Sequence, residues 1–211
     1  MYTPPAFRET DESEIERIMQ EARLPILVTV NRAGLVATHL PLRRVADPAP
    51  HGKLIGHIAR ANAQWRDLDP AAEALAIFPG IDAYVSPRWY ATKRETGKVV
   101  PTWNYEAVHV YGRLEIVEDR DRLHAIVDDL TGHHERGAEH PWHVDDAPAD
   151  FVTAQLKGIV GLVLTIGRIE GKRKLSQNRN EADRRGAIEG LAEAGEDAMA
   201  AAMRRLFGMQ A

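Results

Sequence analysis

Gly56-His57-Ile58-Ala59-Arg60-Ala61-Asn62-Ala63-Gln64-Trp65 is the stretch on which the reading of this chain turns. A strand ends in it, small residues turn the backbone, and a short helix begins. Backbone N–H groups at such a helix start, backed by the Arg60 cation, suit a phosphate dianion. A capped surface helix with Trp65 in the core fits the same letters. The local pattern leaves both readings open.

Upstream of this stretch, Thr10 is placed to cap a helix whose Ile15, Ile18, Met19 and Ala22 share one face. The period then changes to that of strands. Leu24 to Val30 is an apolar, β-branched run, Asn31 to Gly34 reads as a turn, and Leu35 to Leu42 is extended again, which makes a β-hairpin. Lys53 to Ala59 supplies a further hairpin partner after the loop 47–52. Downstream, Asn62 to Leu68 reads as one or two helical turns closed by Pro70. Strands follow at Ala74 to Phe78, Asp82 to Val85 and Val99 to Val117, where Val108, Val110 and Gly112 alternate with His109 and Tyr111. Asp119 to Arg136 is helical, with Leu123, Ile126, Val127 and Leu130 on one face. A short helix around Phe151, Ala154 and Leu156, a strand at Ile159 to Ile169, and two helices within Glu181 to Phe207, parted near Gly195, complete the order. Strands in hairpin order with helices at the ends and in one insertion argue against βαβ winding. The expected fold is α+β: a small, mostly antiparallel barrel with flanking helices, forming one domain over residues 1–211.

Composition bounds the function. The chain has 211 residues, 44% apolar and 27% charged, and a domain of this size hides roughly 70% of its unfolded surface. The absence of cysteine excludes disulfides, thiolate metal sites and cysteine nucleophiles, and points to a reducing, cytoplasmic setting. The start MYTPPAFRET is neither basic nor apolar, so no leader is expected, and no window approaches the ~18 apolar residues of a membrane span. A formal charge of −4 opposes a nucleic-acid backbone except at a local patch, for which 168–179 is the candidate.

Two further clusters could carry chemistry. Tyr84-Val85-Ser86-Pro87-Arg88-Trp89-Tyr90 and Val100-Pro101-Thr102-Trp103-Asn104-Tyr105 concentrate aromatic rings in a chain only 6% aromatic. Aromatic faces beside Asn and Thr groups suit a planar heteroaromatic ligand, and equally suit an aromatic core around two turns. Glu170-Gly171-Lys172-Arg173-Lys174-Leu175-Ser176-Gln177-Asn178-Arg179 runs from basic residues into polar ones. A solvated loop is the simpler reading for Lys172 and Arg173, whereas buried Ser, Gln and Asn groups would need partners. His133, His134, His140 and His143 are read as lying in a Gly- and Pro-rich loop without regular helical ligand spacing, so no metal site is assigned. Nucleophile-elbow, P-loop and dinucleotide fingerprints are missing.

Taken together these segments resemble the PaiB family, the FMN-binding negative transcriptional regulators of bacteria. The matching pieces are Met1-Tyr2-x-Pro4-Pro5 with Phe7, His57 to Trp65, Tyr84 to Tyr90, Val100 to Tyr105, His109-Val110-Tyr111-Gly112 and Lys174 to Arg179, in order along almost the whole chain. The resemblance implies an FMN-binding split β-barrel, a group that includes pyridoxamine phosphate oxidases and flavin reductases, and a homodimer with flavin at the subunit interface. It implies that His57, Ile58, Ala59, Arg60, Asn62, Gln64 and Trp65 wrap the ribityl phosphate, with Arg60 as the cation. Thr38 and Leu40 would lie along the flavin. Trp103, Asn104 and Tyr105 would approach the ring from the other subunit, and Lys174, Ser176, Gln177 and Asn178 would close the polar end. One departure stands out: Thr38-His39-Leu40-Pro41 carries no Arg or Lys for the phosphate, which leaves a deazaflavin or an empty site beside FMN, while haem is kept as a cofactor by the split-barrel neighbourhood and the histidines at 133, 134, 140 and 143.

The implied function is negative transcriptional regulation, whether direct or indirect through flavin binding or sensing. Glu189, Glu193, Glu196 and Asp197 crowd the junction of the last two helices, where a DNA-recognition element should be basic. The alternative is a flavin-dependent oxidoreductase, for which no catalytic residue is assigned; His57 and His109 are the titratable candidates near the inferred site. A haem-binding or haem-handling split-barrel protein is a weaker alternative.

Overall fold

The computed structural model describes residues 1–32, 34–69 and 71–209. By contact the chain divides into two compact units, one of Met1–Glu21, Pro79–Val108 and Glu170–Ala211, the other of Ala22–Phe78 and His109–Ile169. The strands are β1 (Arg8–Glu9), β2 (Ile26–Asn31), β3 (Gly34–His39), β4 (Leu42–Val45), β5 (Lys53–Ala59), β6 (Ala74–Val85), β7 (Thr102–Val117) and β8 (Ile159–Lys174). The helices are α1 (Glu12–Glu21), α2 (Ala91–Thr96), α3 (Arg120–His134), α4 (Ala149–Leu156), α5 (Glu181–Glu193) and α6 (Asp197–Phe207). The strands hydrogen-bond in the order β3-β2-β6-β7-β8-β5-β4, with β1 beside β8. This is the expected α+β architecture around an antiparallel sheet.

In the unit built on Ala22–Phe78 and His109–Ile169, β2 and β3 form the expected hairpin, in register from Ile26↔His39 to Asn31↔Gly34. Ala33 of the expected turn lies outside the described residues, as does Pro70. β4 pairs β5 from Leu42↔Gly56 to Val45↔Lys53, and β5 pairs β8 from Lys53↔Thr165 to Ala59↔Ile159, both antiparallel. Period 2 then sends alternate residues of β5 to opposite faces. Ile55 joins Val117, Ile126, Leu130 and Val163 in a cluster under α3. Asp119 caps α3 by accepting the Arg122 amide at 2.9 Å, which relieves one of the unpaired first-turn donors. Gly112 belongs to the motif His109 to Gly112 for a steric reason: a Cβ there would stand 2.0 Å from the Thr165 carbonyl oxygen.

In the other unit, α1 buries Ile15, Ile18 and Met19, the stripe read from the sequence. α5 and α6 enclose a core of Ala187, Ile188, Leu191, Met199, Ala200, Ala202 and Met203 with Ala83, Val85, Tyr90 and Leu175. Gly195, at φ 81°, makes the left-handed step between them, a conformation that costs glycine little.

Several expectations are corrected. The cap of α1 is Asp11, not Thr10: Asp11 Oδ1 accepts from the Ser13 amide at 2.8 Å. The helical segment from Asn62 to Leu68 shrinks to one 3-10 turn, Ala63–Trp65, because the backbone leaves extended at Arg66 and turns left-handed at Asp67, φ 53°. Ala74 to Phe78 and Asp82 to Val85 are one strand that passes through Pro79 and Gly80. α2 had no apolar periodicity to announce it and buries no residue. His133 and His134 close α3 rather than lying in a loop. The last strand continues five residues past Ile169, through Lys174, so Lys172 and Arg173 sit in β8 at 6% and 5% exposure and not in a solvated loop. Burial is possible there because each cation has partners: Arg173 has Glu9, Glu14 and Glu106, and Lys172 has the Tyr2 carbonyl and the Tyr105 ring.

Candidate functional site

The first group of expected site residues surrounds the end of β5. Asn62 organises it with both ends of its amide: Oδ1 accepts from the Gln64 backbone N–H at 2.9 Å, and Nδ2 donates to Thr38 Oγ1 at 3.0 Å. Trp65 folds back, its indole N–H donating to the Arg60 carbonyl at 3.0 Å. The Arg60 guanidinium lies 5.7 Å from the Trp65 ring centroid and that of Arg66 5.2 Å, within the range of cation–π attraction. Arg66 also donates to the Arg60 carbonyl at 3.2 Å. Arg60 in turn donates to the Lys157 carbonyl at 3.0 Å and to Glu118 at 2.6 Å, with 36% of its side chain exposed.

Arg60, Asn62 and Trp65 are therefore held together in one polar, cationic loop, tied by Asn62 to Thr38 of β3. Others of this group face inward. Leu40 and Ile58 are core residues at 3% and 5% exposure. Gln64, 1% exposed, spends its amide N–H groups on the Leu27 carbonyl, Thr29 Oγ1 and the Val36 carbonyl. Ala59 is exposed at the strand end. His57 has a solvent-shielded Nδ1 with no protein partner, and burial pushes its pKa below the ordinary histidine value.

The second group lies in the unit that carries α5 and α6. Trp103 is 55% exposed and meets Tyr84 edge to face, with centroids 6.0 Å apart and planes at 68°. Asn104 is fully buried and exchanges hydrogen bonds with Ser176, at 3.1 and 3.2 Å, beside Met203 Sδ at 3.4 Å. Ser176 adopts φ 65°, a left-handed conformation that this exchange helps to hold. Gln177 accepts from the Leu175 amide at 2.7 Å and donates to the Arg173 carbonyl. Tyr105 carries the Lys172 ammonium 4.8 Å from its ring centroid. Lys174 donates to Thr102 Oγ1 and the Trp103 carbonyl. Its pKa is lowered by burial, then by Lys172 and Arg179. Asn178 is exposed in the turn after β8. Here the polar groups of Asn104, Ser176 and Gln177 are engaged with the protein itself, whereas Trp103 presents an exposed ring.

The residues around Arg60 fit a flavin phosphate better than the sequence alone suggested. The expected shortage of cations on Thr38-His39-Leu40-Pro41 is offset by Arg66, which has no carboxylate partner among the described residues. Sequence reasoning did not single it out, because it lies one residue past the His57 to Trp65 motif. The signal was its spacing: a single 3-10 turn returns the chain on itself, so residues six apart reach the same ring.

The family whose description reads "Putative FMN-binding domain" matches residues 1–168. The protease synthase and sporulation protein PAI 2 of Bacillus subtilis (strain 168) is 36% identical over 191 residues, covering 90% of this chain and 89% of that one. The uncharacterized protein AN0679 of Emericella nidulans is 32% identical over 233 residues, covering 94% and 93%, so relatives are not confined to bacteria. Among solved structures, the FAD and heme binding protein from Mycobacterium smegmatis superposes with a TM-score of 0.58 at 19% identity, over 79% of this chain and 73% of that one. That likeness supports the split-barrel fold. With one family description spanning most of its length and PAI 2 matching nearly all of it, this chain belongs to the PaiB-type FMN-binding domain family.

Proposed function

We propose that this protein binds FMN through the loop 60–66 and regulates transcription negatively and indirectly, by responding to flavin rather than by gripping DNA. The observation that carries the reading is the pair of guanidiniums, Arg60 and Arg66, 5.7 and 5.2 Å from the Trp65 ring centroid, beside the Asn62-capped turn. Such a pair offers charge-assisted donors to a phosphate dianion. Glu118 occupies Arg60 from an exposed position, 55% open to solvent, where an ion pair contributes little and a phosphate can displace it. When bound, the flavin supplies redox chemistry and a coloured reporter of its own state. The two arginines hold the phosphate, and Thr38 and Asn62 orient the ribityl chain attached to it.

An indirect role is favoured by the last helix pair. Its apolar residues, Ile188, Leu191, Met199 and Met203, are committed to the core; its junction is acidic, and its arginines, Arg184, Arg185, Arg204 and Arg205, lie toward the helix ends away from that junction, so the turn that would enter a groove repels phosphate. The proposal includes a homodimer in which Trp103 of a second copy covers the flavin, a role that suits its exposed ring. The test is an absorbance spectrum and an FMN titration of the purified protein, with sedimentation at the same concentration. Flavin bands, saturable FMN binding and a dimer are expected. Absent FMN binding, or a monomer at micromolar concentration, removes the corresponding part.

A further inference from the structure

A cavity of about 250 Å³ opens between β5, β8, α3 and the segment 142–156. Eight of its ten lining residues are apolar, among them Trp142, Val144, Phe151 and Val152, and the two polar ones are His57 and Gln155. The wall therefore carries no carboxylate, ammonium or guanidinium, and an unpaired charge there would be costly. His57 is different from the rest: its Nδ1 is closed to solvent and meets no protein hydrogen-bond partner. That nitrogen is sealed even from the cavity, so it is the remaining, accessible part of the half-buried ring, on the Nε2 side, that can meet an occupant.

Size narrows the class. The volume matches about eight water shares at ~30 Å³ each and lies under the ~300 Å³ lower end of pockets for drug-sized ligands. A single substituted ring fits; a tricyclic flavin with its chain does not. Trp142 and Phe151, 46% and 54% exposed, provide aromatic faces at this site, which favour edge or stacked contact with such a ring. A neutral imidazole nitrogen donates in one tautomer and accepts in the other, and a hydroxyl can answer either.

We propose that this cavity is a binding site for a compact, neutral aromatic alcohol, a phenol, with His57 supplying its hydrogen bond. The inference rests on the cavity and not on flavin binding, so the two stand or fall separately.

The experiment is calorimetric titration of the full chain with p-cresol and with toluene at pH 7.5, with FMN titrated in parallel. Saturable one-to-one binding of p-cresol is expected. His57→Phe should weaken p-cresol by about tenfold, the scale of one hydrogen bond, while leaving toluene within about threefold by the same scale. Val152→Trp should fill the cavity and abolish both, with FMN affinity unchanged. Should either variant not fold, nuclear Overhauser contacts from the p-cresol methyl to Trp142 and His57 in the unmodified protein replace it. Failure of p-cresol to saturate, binding that survives Val152→Trp, equal losses of p-cresol and toluene in His57→Phe, or missing contacts to both residues each overturns the proposal, whatever FMN does.

Discussion

Arg173 donates its Nε to Oε1 of Glu106 at 2.8 Å, and both side chains are shut away from solvent, at 6% and 0% exposure. Arg17 reaches the same carboxylate at 2.9 Å, and Arg173 also pairs with Glu9 at 3.2 Å and Glu14 at 3.1 Å. The pairing lets a cationic strand segment sit in the interior of its unit. Glu106→Leu should destabilise the protein by about 1–3 kcal/mol, because the buried Arg173 Nε and Arg17 lose their shared acceptor while Glu9 and Glu14 still face Arg173. Urea midpoints for Glu106→Leu, Arg173→Met and the double variant check it, with a double-variant loss smaller than the sum of the singles.

Gln64 should prove structural. Gln64→Leu leaves the Thr29 hydroxyl and the Leu27 and Val36 carbonyls short of their donor, a loss of about 1–3 kcal/mol. Thermal melting without flavin should register the loss, while FMN affinity per folded molecule stays level. A large affinity change at unaltered melting would return Gln64 to the flavin site.

Arg66 should matter for phosphate and not for the ring system. Arg66→Ala and Arg60→Ala should each weaken FMN by about 1.5–3 kcal/mol, the scale of a charge-assisted hydrogen bond, and barely touch riboflavin. Glu118→Gln should tighten FMN modestly by releasing Arg60. Parallel fluorescence titrations with FMN and riboflavin decide the matter, and equal losses for both ligands would place the arginines away from the phosphate.

Trp103 should affect flavin more than fold. At 55% exposure its ring has little core to lose, so Trp103→Ala should leave melting of the flavin-free protein within a few degrees. If the ring covers flavin in the dimer, affinity should fall about tenfold or more, from lost aromatic contact and apolar cover. Measuring both quantities on one variant separates the two roles.

His57 should impose an acid limit on stability. Burial lowers its pKa in the folded protein, so the unfolded chain, with a histidine pKa near ~6.5, binds more protons in the interval below that value. Stability is then full above about pH 6.5 and declines as pH falls toward the folded value. His133, shifted the same way by burial and then by Arg43, adds to the trend. Urea midpoints at pH 7.5 and 5.5 should fall less in His57→Gln than in the unmodified protein.

The sequence by itself determined what repeats along the chain or follows from composition. The Ile15, Ile18 and Met19 stripe, the β2–β3 hairpin, the face of α3 and the break at Gly195 were all legible, because period 3.6, period 2 and turn residues are local signals. The family was legible from its ordered motifs, and so was the gathering of Arg60 and Trp65 at one loop. Tertiary structure alone decided the destinations of polar side chains. Lys172 and Arg173 looked like a solvated loop because their carboxylate, carbonyl and ring partners come from residues about 60 to 170 positions away along the chain. Gln64 and Asn62 lie two residues apart and part ways, one into the core and one onto Thr38, according to which strand each meets. Arg66 became a second cation only when a single 3-10 turn brought it round to Trp65. Partners distant in sequence carry no local period, so the burial of a charge or an amide is settled by packing and not by its neighbours in the chain.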